Sequence, residues 1–183
     1  EGENKLNFLL DHLTGENEGA VATPGIYFHT GGEEHESVGA PDIVDVKGDL
    51  VDSYQKVAIE EYYKYGSLNS FTRMRDAPYA PLQFARGCRA MCTFCAVRDF
   101  MGKGVRHRSV EDVLAEMTFL VEERGVHHFE WLDDDPTYYK DEFKQLLREI
   151  AARDWDIRWF SNNGVIASTI DEELLQLMCD SKG

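Results

Sequence analysis

From Pro81 onward, strand-like and helix-like stretches alternate, and this alternation limits the fold more than any other feature of the sequence. Leu82–Ala85, His127–Leu132 and Ile157–Phe160 are short and rich in apolar residues, as expected of strands in a sheet. Each is followed by a stretch with apolar residues at intervals of three and four, which predicts a helix. Strands and helices in this order form right-handed crossovers that build a parallel sheet. The sequence therefore predicts an α/β fold with three successive βα units.

End signals support two of these helices. Ser109 to Asp112 has the form of a capping box, and Gly125 is placed to end the helix that follows. Thr169 to Glu172 has the same form ahead of the third helix. Cys179 lies on this third helix beside Met178, and we expect it to be a buried core thiol.

Residues 1–80 carry a less regular pattern. Leucines at helical spacing continue up to Gly15, and Gly31-Gly32 can supply the positive φ angles of a tight turn. The predicted order is a helix at 5–13, a hairpin at 25–38, a linker at 41–52 and a short helix at 55–65. We expect this part to form a small α+β linker region ahead of the βα units.

Three cysteines lie close together after the first predicted strand. Cys88, Cys92 and Cys95 have the spacing C-x3-C-x2-C, whereas Cys179 lies far away in the sequence. This clustering favours a metal site over disulfides. Thiolates are the ligands of iron-sulfur clusters. Three of them would leave one iron of a 4Fe-4S cluster open to a substrate or a cofactor.

Polar residues follow the second and third predicted strands. Asp133, Asp134 and Asp135 come after the second strand, and Ser161 and Asn162 come at the end of the third. Since the loops after parallel strands lie on one face, we expect these two loops and the cysteine loop to surround one cavity. A solvated turn is the alternative for the acidic loop, and a plain turn is the alternative for the serine–asparagine loop.

Composition argues against some classes of function. The formal net charge of -15 opposes general attraction to nucleic acid or to an anionic membrane. No apolar run is long enough to span a membrane, and no secretory leader is visible. Because thiols and exposed clusters persist where the thiol pool is reduced, the expected location is cytoplasmic.

The cysteine segment and its surroundings resemble the radical S-adenosylmethionine superfamily. The signature C-x3-C-x2-C of that family follows the first strand of a (βα)6 partial barrel, and the residue before the last cysteine is usually aromatic, as Phe94 is here. Closer similarity is to the cobalamin-associated branch that includes the anaerobic Mg-protoporphyrin cyclase-like proteins. The segments that carry this similarity are Arg86-Gly87-Cys88, Arg106-His107-Arg108-Ser109 and Asp133-Asp134-Asp135-Pro136-Thr137.

The resemblance implies both a fold and a chemistry. Residues 81–183 would be the N-terminal half of a radical S-adenosylmethionine partial barrel. Cys88, Cys92 and Cys95 would hold three irons of a 4Fe-4S cluster, and S-adenosylmethionine would chelate the fourth. Reductive cleavage would give a 5′-deoxyadenosyl radical that abstracts hydrogen from a small-molecule substrate. The electron would come from a reductant such as flavodoxin or ferredoxin.

Five residues are implied as contacts of S-adenosylmethionine. Phe94 would pack near the adenine, and Asp133 or Asp134 would accept a charge-assisted hydrogen bond from the ammonium. Ser161 and Asn162 would contribute contacts from the third strand. The reaction type is left open among methyl transfer, cyclisation, oxidation and rearrangement.

Cobalamin is left open as a further cofactor. The leucine-rich start looks like the tail of an upstream cobalamin-binding domain, but Asp11-His12 does not have the spacing of the usual D-x-H-x-x-G signature. Three βα units are present where the family builds six. We therefore expect a fragment that binds the cluster and its cofactor without turnover.

The rival hypothesis is a non-catalytic zinc- or iron-sulfur-binding module. It would use the three clustered cysteines together with a histidine such as His107. Zinc sites usually pair one C-x2-C knuckle with a second, and the sequence contains no second knuckle.

Overall fold

The computed structural model describes residues 2–16, 27–30, 32–36, 43–65 and 77–183. The helices in these ranges are α1 (Glu3–Leu13), α2 (Val51–Lys56), α3 (Glu60–Tyr63), α4 (Val97–Phe100), α5 (Val110–Arg124), α6 (Lys140–Ala151) and α7 (Glu172–Asp180). The strands are β1 (Tyr27–Thr30), β2 (Glu33–Glu36), β3 (Tyr79–Leu82), β4 (Ala85–Cys88), β5 (Gly104–His107), β6 (His128–Trp131) and β7 (Arg158–Ser161). No helix in the described ranges is both long enough and apolar enough to span a membrane.

The chain divides into two compact units. The first unit comprises residues 1–45 and 91–103, and the second comprises residues 46–90 and 104–183. In the first unit, α1 and the antiparallel pairing of β1 with β2 confirm the predicted helix and hairpin. The predicted hairpin also included residues 25, 26, 31, 37 and 38, which lie outside the described residues.

The second unit is built on a parallel three-stranded sheet in the order β3-β6-β7. The register aligns Leu82 with Trp131 and Trp131 with Ser161, so the three strands end level with one another. This confirms the predicted parallel sheet. It also confirms that the loops after β6 and β7 leave the sheet at the same edge.

Buried apolar side chains join one face of this sheet to the long helices. The strands contribute Ala80, Leu82, Phe129, Trp131 and Trp159 to this core. The helices contribute Val113, Met117 and Leu120 from α5, Phe143, Leu146, Leu147 and Ile150 from α6, and Leu174 from α7. The helical spacing of these residues is the pattern from which the sequence predicted the three helices.

The ends of α5 agree with the prediction. Ser109 Oγ accepts a hydrogen bond from the backbone N–H of Asp112 at 3.0 Å. Gly125 ends the helix in the left-handed conformation, with φ at 61°. A side-chain cap at one end and a glycine at the other satisfy backbone groups that the helix cannot pair internally.

Two expectations about α7 are wrong. Its N-cap is Asp171, whose carboxylate accepts from the N–H of Leu174 at 2.8 Å, whereas Thr169 lies in a 3-10 turn before the helix. Cys179 is exposed and is not a core thiol. Leu174 lies on the buried face of the helix, whereas Cys179 lies on the face exposed to solvent.

The first predicted strand is also wrong in its bounds. The parallel strand β3 ends at Leu82, and Ala85 begins a separate strand, β4, that pairs antiparallel with β5. The chain turns between them at Gln83 and Phe84. Leu82–Ala85 therefore spans a corner between two sheets, and an apolar run alone does not reveal such a corner.

The predicted helix at 55–65 is instead two short helices. Helix α2 begins at Val51, inside the predicted linker, and ends at Lys56, and α3 spans Glu60–Tyr63. Arg124 of α5 holds this segment, since its guanidinium donates to the carbonyls of Tyr54 and Val57. These long-range contacts fix the break between the two helices.

A buried ion pair fastens α5 to the segment before it. Arg108 and Glu116 are almost fully buried, with Arg108 Nη2 2.6 Å from Glu116 Oε2. Arg108 also donates to the carbonyls of Gly48 and Gln83, at 3.0 and 3.1 Å. Arg108 therefore has a structural role, because its guanidinium compensates the buried charge of Glu116 and donates to two backbone carbonyls.

Candidate cluster and cofactor site

The cysteine segment is bracketed by the hairpin of β4 and β5. Cys88 ends β4 and pairs with Gly104 at the start of β5, so residues 89–103 form a loop that leaves and re-enters the hairpin at one point. Gly87 has φ at 98°, and a Cβ at this position would collide with the carbonyl oxygen of Gly104. Only glycine fits this close approach of the two strands.

The three clustered cysteines form no disulfide, and they differ in exposure. Cys88 is half-buried, whereas Cys92 and Cys95 are exposed. Within the first unit, the N–H of Cys95 donates to the carbonyl of Cys92 at 3.1 Å, which closes a turn around Thr93 and Phe94. The side chain of Phe94 is 91% exposed and is available to a flat ligand such as adenine.

Asp133 follows β6 and is fully buried, with 0% exposure. Its carboxylate accepts from the N–H of Phe84, at 3.1 Å, and from the N–H of Ala85. It therefore holds the corner between β3 and β4. Burial raises the pKa of Asp133 to about 7, although the two backbone donors act in the opposite direction.

Asp134 differs from both of its acidic neighbours. It is half-buried, and no hydrogen bond or ion pair to its carboxylate occurs among the described residues. Burial raises its pKa, and the nearby charge of Asp135 raises it further. A carboxylate in this situation would gain from a cationic partner.

Asp135 is fully buried and forms a bidentate pair with Arg89, the residue that follows Cys88. Arg89 Nε lies 2.6 Å from Asp135 Oδ2, and Arg89 Nη2 lies 2.9 Å from Oδ1. The ring of Tyr138 lies under the guanidinium, with 4.8 Å from Cζ to the ring centroid. A solvated turn, the alternative for the acidic loop, is thus wrong for Asp133 and Asp135.

The loop after β7 contributes polar groups to the same edge of the sheet. Ser161 Oγ donates to the carbonyl of Gly164 at 3.0 Å, and Asn163 Nδ2 donates to the carbonyl of Leu132 at 3.1 Å. Asn162 Nδ2 is buried and has no hydrogen-bond partner in the part of the chain that the structure describes. This orphan donor fits an acceptor on a bound cofactor, such as a carboxylate or a hydroxyl.

The donor chemistry of the cysteine segment fits a 4Fe-4S cluster. Thiolates are the protein ligands of such clusters, and Cys88, Cys92 and Cys95 lie within eight residues of one another in the sequence. His107, the histidine of the zinc hypothesis, packs on Tyr139 at 3.9 Å between ring centroids, and its Nδ1 lies 2.8 Å from the carbonyl of Arg108.

The sequence from Leu82 to Lys182 matches the family model of the radical SAM superfamily. The match covers more than half of the chain and includes the cysteine segment and all three helices of the sheet. The chain belongs to the radical S-adenosylmethionine superfamily. Members of this superfamily use a 4Fe-4S cluster and S-adenosylmethionine.

Curated members of this superfamily match the chain over different lengths. A cytidylyl-2-hydroxyethylphosphonate methyltransferase from Streptomyces wedmorensis is 39% identical over 100 residues, which are 55% of this chain and 18% of that protein. An anaerobic magnesium-protoporphyrin IX monomethyl ester cyclase from Cereibacter sphaeroides is 30% identical over 180 residues, 96% of this chain and 28% of that protein. The chain thus spans less than a third of the length of either relative.

Solved structures confirm the fold. The radical S-adenosylmethionine methyltransferase TsrM from Kitasatospora setae, with tryptophan and a SAM analogue bound, superposes with a TM-score of 0.62 at 20% identity. The match covers 98% of this chain and 34% of TsrM. A second TsrM structure holds cobalamin and a 4Fe-4S cluster. The partial-barrel fold class predicted from the sequence agrees with this similarity.

The sequence does not reveal the contacts that join the residue after Cys88 to the acidic loop. In the sequence, Asp135 is only one of three consecutive aspartates, and Arg89 belongs to no motif. The available signal is that Arg89 directly follows Cys88, the first of the three clustered cysteines. Its partner, Asp135, is 46 residues away in the chain, and the sequence does not show which of the three aspartates pairs with Arg89.

Proposed function

We propose that the protein is a radical S-adenosylmethionine enzyme that holds a 4Fe-4S cluster through Cys88, Cys92 and Cys95. The observation that carries this proposal is the family match over 82–182, which contains all three clustered cysteines. When bound, the cluster and S-adenosylmethionine supply reductive cleavage to a 5′-deoxyadenosyl radical. The residues of this chain bind and orient these groups and exclude water from them.

Asp134 and Asn162 are the residues that we assign to S-adenosylmethionine on the strength of their surroundings. The unpaired, half-buried carboxylate of Asp134 accepts from the ammonium group. Asn162 donates its orphan N–H to an oxygen of the cofactor, and Ser161 adds a hydroxyl beside it. Phe94 packs on the adenine. Asp133 acts indirectly, since its carboxylate is already engaged by two backbone N–H groups.

Cobalamin is proposed as a further cofactor of the whole protein. The TsrM structure that holds cobalamin and a cluster matches 96% of this chain, including the part before the βα units. The proposed reaction class is methyl transfer to a small-molecule substrate, because methyltransferases recur among the relatives and the solved structures. A one-electron reductant such as flavodoxin or ferredoxin completes the system. Free thiols favour a reducing compartment, the cytoplasm.

Replacing Asp134 tests the cofactor assignment. In protein reconstituted anaerobically with iron and sulfide, Asp134→Ala should retain its iron but bind S-adenosylmethionine at least about tenfold more weakly, because a charge-assisted hydrogen bond is lost. Equilibrium dialysis with labelled S-adenosylmethionine measures this affinity.

Asp141→Ala is the matched control, since Asp141 is an exposed carboxylate in the first turn of α6. It should leave both iron content and affinity unchanged. Equal affinities of the Asp134 variant and the wild type would remove Asp134 from the site.

A further inference from the structure

The loop that carries Cys88 is held by a buried carboxylate on another element. Asp135, with 0% exposure, pairs with Arg89, whose side chain is 35% exposed. Both guanidinium contacts are short, and they reach different oxygens of the carboxylate, which fixes the plane of the guanidinium. The N–H of Arg89 also points to Asp135 Oδ2, at 3.4 Å.

This pair acts on the backbone beside a ligand cysteine. Arg89 follows Cys88 directly, and the next N–H, that of Ala90, donates to Cys88 Sγ at 3.4 Å. The ion pair that holds the Arg89 side chain therefore also restrains the backbone turn at residues 88–90, and this turn orients the Cys88 sulfur.

Hydrogen bonds also connect Asp135 to the loop after β7. Thr137 Oγ1 donates to Asp135 Oδ1 at 3.2 Å and lies 2.7 Å from Thr169 Oγ1. Thr169 belongs to the 3-10 turn Ala167–Thr169. Hydrogen bonds thus connect the residue after Cys88, the acidic loop and the third loop, all within the second unit.

We propose that Asp135 is a positioning residue for the cluster: through Arg89 it orients Cys88 as a ligand and keeps one positive charge beside that thiolate. The inference rests on the proposed function, because it assigns Cys88 to the cluster. A fixed cation near a cluster favours its reduced form, and removing the cation lowers the reduction potential. Tyr138 supports the same orientation from the face of the guanidinium.

The first measurement is backbone hydrogen exchange in the peptide that covers residues 86–91. Arg89→Gln and Asp135→Asn should each speed this exchange about tenfold or more, the factor implied by the loss of one charge-assisted hydrogen bond. The double variant should be no faster than Arg89→Gln alone, since the two residues act as one pair. Arg148→Gln, which breaks an exposed pair with Glu173, is the matched control and should not alter this peptide.

The second measurement is the potential and the electron paramagnetic resonance signal of the reduced cluster. Arg89→Gln should bind the same amount of iron as the wild type but show a lower potential and an altered signal. Arg89→Lys keeps the charge without the two-point contact, so it should restore most of the potential. A merely structural role for Arg89 would change stability without this rescue.

The outcomes separate the inference from the proposed function. Suppose that the wild type binds iron, and that Arg89→Gln and Asp135→Asn have the same hydrogen exchange and the same cluster potential as Arg148→Gln. This result would overturn the inference and leave the proposed function standing. Wild-type protein that binds no cluster overturns the proposed function. Because Arg89 is partly exposed, its variants remain informative if the buried Asp135 variant fails to fold.

Discussion

At the scale of single residues, three consecutive aspartates have three different surroundings. Asp133 accepts from two backbone N–H groups, Asp134 has no partner among the described residues, and Asp135 pairs with Arg89. The sequence identified the acidic loop as a candidate site but did not show which role each of the three aspartates has. Neighbouring side chains in a loop follow no period, so their directions depend on the elements that pack around them.

The first residue-scale prediction concerns pH. Burial raises the pKa of Asp133 to about 7 in the folded state, above the ordinary value near 4 in the unfolded chain. Between these values the folded state binds more protons than the unfolded state. The wild type should therefore lose, relative to Asp133→Asn, about 1.4 kcal/mol of unfolding free energy for each pH unit as the pH rises through this range.

Urea unfolding of both proteins at pH 5 and at pH 7 measures this change. Asp141→Asn, at an exposed carboxylate, should show no such trend against the wild type. A constant difference between the wild type and Asp133→Asn across the range would mean that Asp133 is ionised in the folded protein throughout.

At the scale of elements, periodicity located the three long helices and the second and third parallel strands, whereas the first parallel strand lies three residues earlier than predicted. The helical spacing of core residues, the Ser109 cap and Gly125 were all visible in the sequence. The hairpin of β4 and β5 was not predicted, because its strands are four residues each and are separated by the whole cysteine loop. Gly104 to His107 carries one buried apolar residue, Val105, which is too little for a strand pattern.

Gly87 tests the importance of this hairpin. Gly87→Ala introduces both an unfavourable positive φ and a collision with the Gly104 carbonyl. The first effect costs about 1–2 kcal/mol and the second about 1–3 kcal/mol more. Urea unfolding should therefore show a clearly larger loss than for Gly104→Ala, where φ is also positive but the space for a Cβ is open.

The comparison of these two glycine variants isolates the close approach of the strands. Gly87→Ala should also reduce iron retention after reconstitution, because the hairpin brackets the cysteine loop. Equal losses of stability in the two variants would show that the strands can separate at no cost.

At the scale of the whole molecule, the family and the fold are secure, whereas the division of the chain at residue 80 stays a prediction. We propose that residues 1–80 are the tail of a cobalamin-binding domain with a linker, and that residues 81–183 are half of a barrel. Both assignments concern a longer protein. They are supported by relatives that match nearly all of this chain with about a third of their own length. Reaction type depends on substrate contacts, and the residues that make them could not be chosen from the sequence.

The cluster assignment is the central claim, and iron analysis tests it most directly. After anaerobic reconstitution, the wild type and Cys179→Ala should each bind about four irons and about four sulfides per chain, since Cys179 is exposed and is not a ligand. Cys92→Ala should lose the cluster. A colourless wild type with stoichiometric zinc, or loss of the cluster in Cys179→Ala, would contradict the account.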